Sequence, residues 1–154
     1  MSSVLPPLTE YGFLPVPPPI HSARLDDMPG CFGAKPWRRQ LWDDCAQFLN
    51  WLKENTPIRE VFIDGRFLSA SEEVDTIEVG VELTAALFRR GGGLALFQKL
   101  NMPAREEYGV RVRYYGPFRP EEYNFHSEFN TPDPEVRLRG APSNLRKGYI
   151  RIAL

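Results

Sequence analysis

Apolar residues recur with a helical period between Pro36 and Asn55. Trp37, Leu41, Cys45, Phe48 and Leu52 follow one another at spacings of four, four, three and four residues, which places them on one face of a helix. The helix is expected to end at Thr56-Pro57, because a residue that precedes proline disfavours the helical conformation. Trp42 and Trp51 fall off this face, so we expect the helix to be covered on a second side as well.

Four segments alternate apolar and polar residues with the period of a strand: 58–64, 75–83, 108–115 and 149–154. In the third segment we expect Val110 and Val112 to point inward and Arg111 and Arg113 outward. Between the second and third segments, glycines 91–93 separate two short predicted helical pieces, 84–90 and 94–100. This order of elements predicts an α+β domain with a small mixed sheet and helices packed mainly on one face.

The N-terminal segment is rich in proline and cannot form a helix or an inner strand. We expect residues 1–35 to form an extended arm on a single domain of residues 1–154, with Leu14, Val16 and Ile20 against its body. A proline-rich ligand for an aromatic groove is the alternative. Residues 21–35 are predicted to be loop with at most one helical turn, which Pro29-Gly30 breaks. A further loop or short helix is predicted around residues 121–123.

Composition and charge exclude several classes of protein. The chain has 154 residues, 42% hydrophobic content and a formal net charge of -1, so nothing global favours nucleic acid or an anionic membrane. It has neither an apolar run of membrane-spanning length nor the pattern of a secretion signal. Two cysteines, Cys31 and Cys45, do not make a disulfide framework. We therefore expect a cytoplasmic protein in which Cys45 is a small core residue.

Candidate chemistry lies where the first strand turns into the second. Nucleotidyl transfer needs Mg²⁺ held near a triphosphate by carboxylates on neighbouring strands, with a glycine turn that lets phosphates approach. Asp64 and Gly65 end the first strand, and after Arg66 nine residues precede Thr76-Ile77-Glu78-Val79. The spacing fits such a site, whereas the residue types fit only in part.

Four motifs along the chain resemble those of a family of small bacterial and phage proteins of unknown function with nucleotidyltransferase-like folds. The matching segments are Tyr11-Gly12-Phe13-Leu14-Pro15 with His21, Ile63-Asp64-Gly65-Arg66-Phe67, Asp75-Thr76-Ile77-Glu78, and Leu145-Arg146-Lys147-Gly148-Tyr149-Ile150-Arg151-Ile152-Ala153-Leu154. The resemblance implies a mixed-sheet nucleotidyltransferase fold and an active site at the turn after the first strand.

The chain departs from the family's pattern at the residues that would carry catalysis. Arg66 replaces the turn serine, Thr76 the first metal-binding aspartate and Ala153 the aspartate of the last strand. Glu78 replaces the second metal-binding aspartate and is the one weak candidate for a metal ligand. Asp75 is displaced by one position, which on a strand turns a side chain to the opposite face. Arg111 and Arg113 stand where a further carboxylate would be expected.

The candidate remnants of a catalytic site are therefore Asp64, Gly65, Asp75 and Glu78. Two interpretations of Asp64 and Glu78 remain open. They are either exposed polar residues at strand ends or a residual metal site. For Arg66, the alternatives are an ion pair with Glu78 that fills the site, an anion site, or plain exposure.

A basic segment near the C-terminus contains Arg146 and Lys147. It is either a solvated face or a patch for phosphate or an acidic partner. Together with Arg66, Arg111 and Arg113, these residues are the candidate anion-binding or partner-binding residues.

The functional hypothesis is a catalytically degenerate nucleotidyltransferase-like protein that binds a protein partner, as an antitoxin, immunity or defence component. It predicts no cofactor and no membrane association. One alternative is a divergent Mg²⁺-dependent nucleotidyltransferase that uses Asp64, Asp75 and Glu78. Another is a module that binds a nucleotide or, as a less favoured ligand, nucleic acid.

Overall fold

The computed structural model describes residues 5–82, 102–115, 125–132, 138, 140–142 and 144–154. Within these ranges lie four α-helices, α1 (Met28–Phe32), α2 (Pro36–Asn55), α3 (Met102–Tyr108) and α4 (Phe125–Phe129). The five strands are β1 (Ile20–Ala23), β2 (Glu60–Asp64), β3 (Ile77–Glu82), β4 (Val110–Tyr115) and β5 (Tyr149–Ala153). The chain is thus a mixed structure of helices and strands, as the sequence predicts.

The strands form one mixed sheet in the order β1-β5-β2-β3-β4. β2 is antiparallel to both β3 and β5, whereas the β3–β4 and β1–β5 pairs are parallel. The predicted C-terminal strand is confirmed, and it lies inside the sheet between β1 and β2. β1 was missed because it has only four residues and pairs with a strand at the other end of the chain.

Helix α2 has the predicted bounds and buries Cys45, Phe48 and Leu52 of the predicted face, but it exchanges Trp37 for Trp42. Trp37 is exposed, whereas Trp42 is 2% exposed and stacks on Phe67 with ring centroids 6.1 Å apart. Cys45 is buried, and burial raises the pKa of its thiol. The helix turns Trp42 inward because the segment that follows β2 covers it from the side.

The two faces of the sheet differ in what covers them. On β3, Ile77, Val79 and Val81 are fully buried in the core that includes α2. Helix α4 packs on the opposite face, where the Phe125 ring approaches Gly80 so closely that a Cβ on Gly80 would lie 2.6 Å from it. The larger helix α2 therefore lies on one face, and a short one closes part of the other.

The N-terminal arm is joined to the loop that follows β2. Phe13 and Leu14 are buried in the domain, and the amide of Ala70 donates a 2.9 Å hydrogen bond to the carbonyl of Gly12. Val16, which was expected to lie against the body, is 40% exposed.

The predicted break at Pro29-Gly30 is wrong. Helix α1 runs through both residues, because a proline in the first helical turn costs no hydrogen bond.

The helical pieces predicted at 84–90 and 94–100, the glycines between them and the segment 121–123 lie outside the described residues. In the described part of the chain, no helix has the length and apolarity needed to span a membrane.

Candidate functional site

Two carboxylates stand side by side on adjacent strands at one end of the sheet. Asp64 at the end of β2 pairs with Glu78 on β3, and Glu78 pairs in turn with Arg111 on β4. Residues directly opposite each other on paired strands carry their side chains on the same face. The fold therefore brings Asp64, Glu78 and Arg111 into one row across three strands.

Asp64 is buried and is paired with Lys147. The Nζ of Lys147 donates a hydrogen bond to Oδ1 of Asp64, and the two side chains are 12% and 5% exposed. Burial raises the pKa of Asp64 to about 7, since it outweighs the opposing effect of Lys147, while nearby Glu78 adds to the rise. The interpretation of Asp64 as an exposed polar residue is therefore wrong.

Glu78 lies between two guanidinium groups. Its Oε1 is 3.8 Å from Nη1 of Arg111 and 3.8 Å from Nη2 of Arg113. Arg113 also reaches helix α4, where its Nε lies 3.9 Å from Oε2 of Glu128. The arginines that neutralise Glu78 thus come from β4, where the sequence has arginines at the positions expected to carry a further carboxylate.

The turn after β2 keeps the glycine that a close approach requires. Gly65 has a φ of +94°, and a Cβ at this position would lie 3.3 Å from Cγ of Glu78. The next residue, Arg66, is partly exposed, and its Nη1 lies 3.9 Å from Oε2 of Glu73. Arg66 is therefore paired with the following loop, and the predicted Arg66–Glu78 pair is not the one that the structure forms.

A carboxylate was also expected at two other positions, of which one lies near Asp64 and Glu78 and the other lies far from them. Asp75 lies before β3 begins at Ile77, and it borders the same cavity as Asp64 and Glu78. Ala153 pairs with Glu60, at the end of β2 away from Asp64. An aspartate at 153 would not reach this site, so its replacement removes nothing from it.

A cavity of about 1040 Å³ opens above the row of charged residues. Its walls include the arm residues Tyr11 and Phe13, the turn at Gly65, and the loop 68–76. Arg38 of α2 holds this loop from below by donating hydrogen bonds of 2.8, 2.9 and 2.5 Å to the carbonyl oxygens of Phe67, Ser69 and Ser71. The sequence gives no signal for Arg38, because its acceptors are backbone atoms about thirty residues away.

A comparison with protein families finds a match over almost this whole chain. The model of a family of unknown function, DUF6932, matches residues 6–153. The chain belongs to the DUF6932 family. No curated protein and no solved structure matches it.

In this DUF6932 protein, Arg146 and Lys147 do not share one surface. Arg146 is exposed, whereas Lys147 turns inward to Asp64. Sequence reasoning missed the role of Lys147 because its partner lies 83 positions earlier in the chain. Two motifs could have indicated this contact, Ile63-Asp64-Gly65 and Lys147-Gly148, because the two paired residues belong to them.

His126 of α4 contacts side chains of two strands of the sheet. Its Nε2 lies 2.5 Å from Oε1 of Glu82, and its Nδ1 is hydrogen-bonded to the hydroxyl of Tyr149. A carboxylate only accepts, so Nε2 donates to Glu82. Burial, with Asp64 and Glu82 nearby, raises the pKa of Tyr149 to about 12. These contacts tie α4 to the ends of β3 and β5.

The charged row of the DUF6932 domain is a poor fit for a resident magnesium ion. Mg²⁺ requires a near-octahedral set of oxygen ligands, whereas Asp64 and Glu78 each face cations of their own chain. Among the residues that the structure describes, no group of three or more His, Cys, Asp or Glu side chains is placed to hold a metal ion.

Proposed function

We propose that this protein is a nucleotidyltransferase-like domain that has lost nucleotidyl transfer and acts by binding a protein partner. The observation that carries the proposal is the pairing of both candidate metal-binding carboxylates with basic side chains of the same chain. Lys147 pairs with Asp64, and Arg111 and Arg113 flank Glu78.

The arrangement of strands supports a nucleotidyltransferase-like frame. The glycine turn follows β2, the Thr76–Glu78 segment leads into its neighbour β3, and β4 lies on the other side of β3. In such a frame, carboxylates from adjacent strands converge on metal ions that clamp a triphosphate. Here the same positions carry Thr76, Glu78, Arg111 and Arg113.

The expected catalytic consequence is large. Loss of one preorganised electrostatic group typically lowers a rate by about 10²- to 10³-fold. Thr76 cannot act as a charged ligand, and two arginines occupy the strand where a third carboxylate is expected. The combined loss leaves a binding role as the function that this site supports best.

The test of lost catalysis is a label-transfer assay. The purified protein is incubated with Mg²⁺ or Mn²⁺ and each of four α-labelled nucleoside triphosphates, alone and with lysate of the source cell. The proposal expects the same background for the wild type and for Glu78→Gln. Transfer that depends on Glu78 would overturn it.

A divergent metal-dependent nucleotidyltransferase is the second candidate function. The observation in its favour is that Asp64 and Glu78 are direct neighbours across β2 and β3. This candidate predicts that Asp64→Asn and Glu78→Gln each abolish transfer, whereas Asp43→Asn on the exposed side of α2 does not. The same assay therefore separates the two functions.

The proposed partner-binding role also leads to a proposal for the biological class of the protein. We place it among antitoxin, immunity or defence components, by analogy with the roles in which small bacterial proteins of this kind are often used. The direct test is co-expression with the product of the adjacent open reading frame, followed by size-exclusion chromatography of the pair. Co-elution at a defined stoichiometry supports the role, and separate elution counts against that product as the partner.

A further inference from the structure

The cavity above the charged row carries an excess of negative charge. Seven acidic and three basic side chains belong to the described residues that line it. Asp64 and Glu78 form the floor, and the five other carboxylates are exposed around the rim: Glu10, Glu72, Glu73, Asp75 and Glu128. The excess remains even when Asp64 is protonated.

The cations of the cavity do not offset this excess, because carboxylates of the same wall already engage them. Lys147 is paired with Asp64, Arg111 with Glu78, and Arg66 with Glu73. Two further rim carboxylates are paired from outside the lining, Glu72 with Lys35 and Glu128 with Arg113. Glu10 and Asp75 take part in no ion pair with the residues that the structure describes, so these two carboxylates present a surface that is complementary to a cation.

An aromatic wall beside Glu10 provides an independent feature of the same cavity. Tyr11 is half-buried and stacks on Phe13, with ring centroids 6.2 Å apart and an interplanar angle of 19°. Both rings border the cavity. An aromatic face next to carboxylates suits a guanidinium or ammonium group, which gains a cation–π contact along with its ion pair.

We propose that this cavity binds a basic segment of the protein partner, with an arginine or lysine side chain held between Tyr11 and the rim carboxylates. This inference rests on the proposed partner-binding function and specifies the chemistry of the partner. A volume of about 1040 Å³ is larger than one side chain needs, so the cavity accommodates several residues of the segment. Since most of the rim is exposed, the contact is electrostatic and weakens with added salt.

The test uses a fluorescein-labelled hexa-arginine peptide and measures its anisotropy with the full chain at low and at physiological salt. Three variants are compared: Glu10→Gln with Asp75→Asn, the same pair with Tyr11→Ala, and a matched control of Glu54→Gln with Asp43→Asn. The control removes the same number and type of charges from exposed positions on α2 that do not line the cavity.

We expect the cavity double variant to bind the peptide about tenfold more weakly than wild type, and the control variant to bind like wild type. Addition of Tyr11→Ala should weaken binding further. Equal weakening by the control variant, or equally tight binding of spermine, would overturn the inference.

A partner complex that forms but is unaffected by these cavity variants would also overturn it, while leaving the proposed function intact. Label transfer that requires Glu78 would contradict the proposed function without involving the peptide measurement.

Discussion

Asp64 and Lys147 form a buried ion pair that connects the end of β2 to the segment before β5, 83 positions along the chain. This contact lies under the cavity and closes the site from the side of β5. It also places a fixed ammonium group next to the carboxylate that a divalent cation would need.

Breaking this pair should destabilise the fold. Lys147→Met leaves Asp64 buried without its partner, so Asp64 takes up a proton at pH 8, close to its wild-type pKa of about 7. We therefore expect a loss of about 1–2 kcal/mol in the free energy of unfolding at pH 8. Lys53→Met, at an exposed position of α2, is the matched control and should be near neutral. Urea denaturation measures both, and the double variant Asp64→Asn with Lys147→Met should recover much of the loss. A Lys147→Met protein as stable as the control would show that the pair contributes nothing.

The raised pKa of Asp64 predicts how stability depends on pH. Its value of about 7 in the folded state exceeds the ordinary value of 3.8, so the folded state binds the proton more tightly than the unfolded state. The contribution of Asp64 is therefore fully present below about pH 4 and is lost as pH rises toward 7, with a slope of at most about 1.4 kcal/mol per pH unit.

The measurement is the difference in the free energy of unfolding between wild type and Asp64→Asn from pH 4 to pH 8. The asparagine side chain of the variant does not titrate, so wild type should lose stability relative to the variant over this range. A difference that stays constant with pH would contradict the raised pKa.

Gly80 is required by the close approach of the Phe125 ring. Gly80→Ala would place a Cβ 2.6 Å from that ring, and we expect a loss of about 1–3 kcal/mol in the free energy of unfolding because α4 must shift. Gly30→Ala in α1 is the control, since nothing lies within 4 Å of its Cβ position. Thermal unfolding should separate the two variants, and equal melting temperatures would contradict the packing of α4 on β3.

Arg38 should determine the order of the loop that forms the cavity wall. Arg38→Met removes donors to three backbone carbonyls and leaves them without these partners, which costs about 1–3 kcal/mol each when such groups stay buried. Arg39→Met, the exposed neighbour, is the control. Hydrogen exchange of the amides of residues 68–71 should accelerate only in Arg38→Met, and unchanged protection would mean that the loop is held by other contacts.

Local patterns predicted the elements of the fold, whereas the site depends on contacts that no local pattern contains. The periodicity of α2 and the alternation of β3 and β4 come from which face each residue buries, so the sequence shows them directly. Strand β1 is recognised as a strand only through its pairing with β5, and the burial of Trp42 includes a contact with Phe67, which is distant in the sequence.

The same reason explains which site residues were predicted. Asp64, Gly65 and Glu78 stand at a strand end and on a strand, so their spacing indicates that they meet. Lys147 and Arg38 reach the site from distant segments, and both resemble ordinary surface cations in the sequence. The arginines of β4 were predicted to point outward, but their pairing with Glu78 follows from the parallel register of β3 and β4.

The proposed loss of catalysis depends on basic side chains that stand where a divalent metal ion would bind. Titration of Mn²⁺ into the protein at about pH 7.5, with free Mn²⁺ measured by electron paramagnetic resonance, tests whether such a site exists. We expect wild type and Glu78→Gln to bind Mn²⁺ equally weakly, without a site of submillimolar affinity. A submillimolar site in wild type that disappears in Glu78→Gln would contradict this expectation.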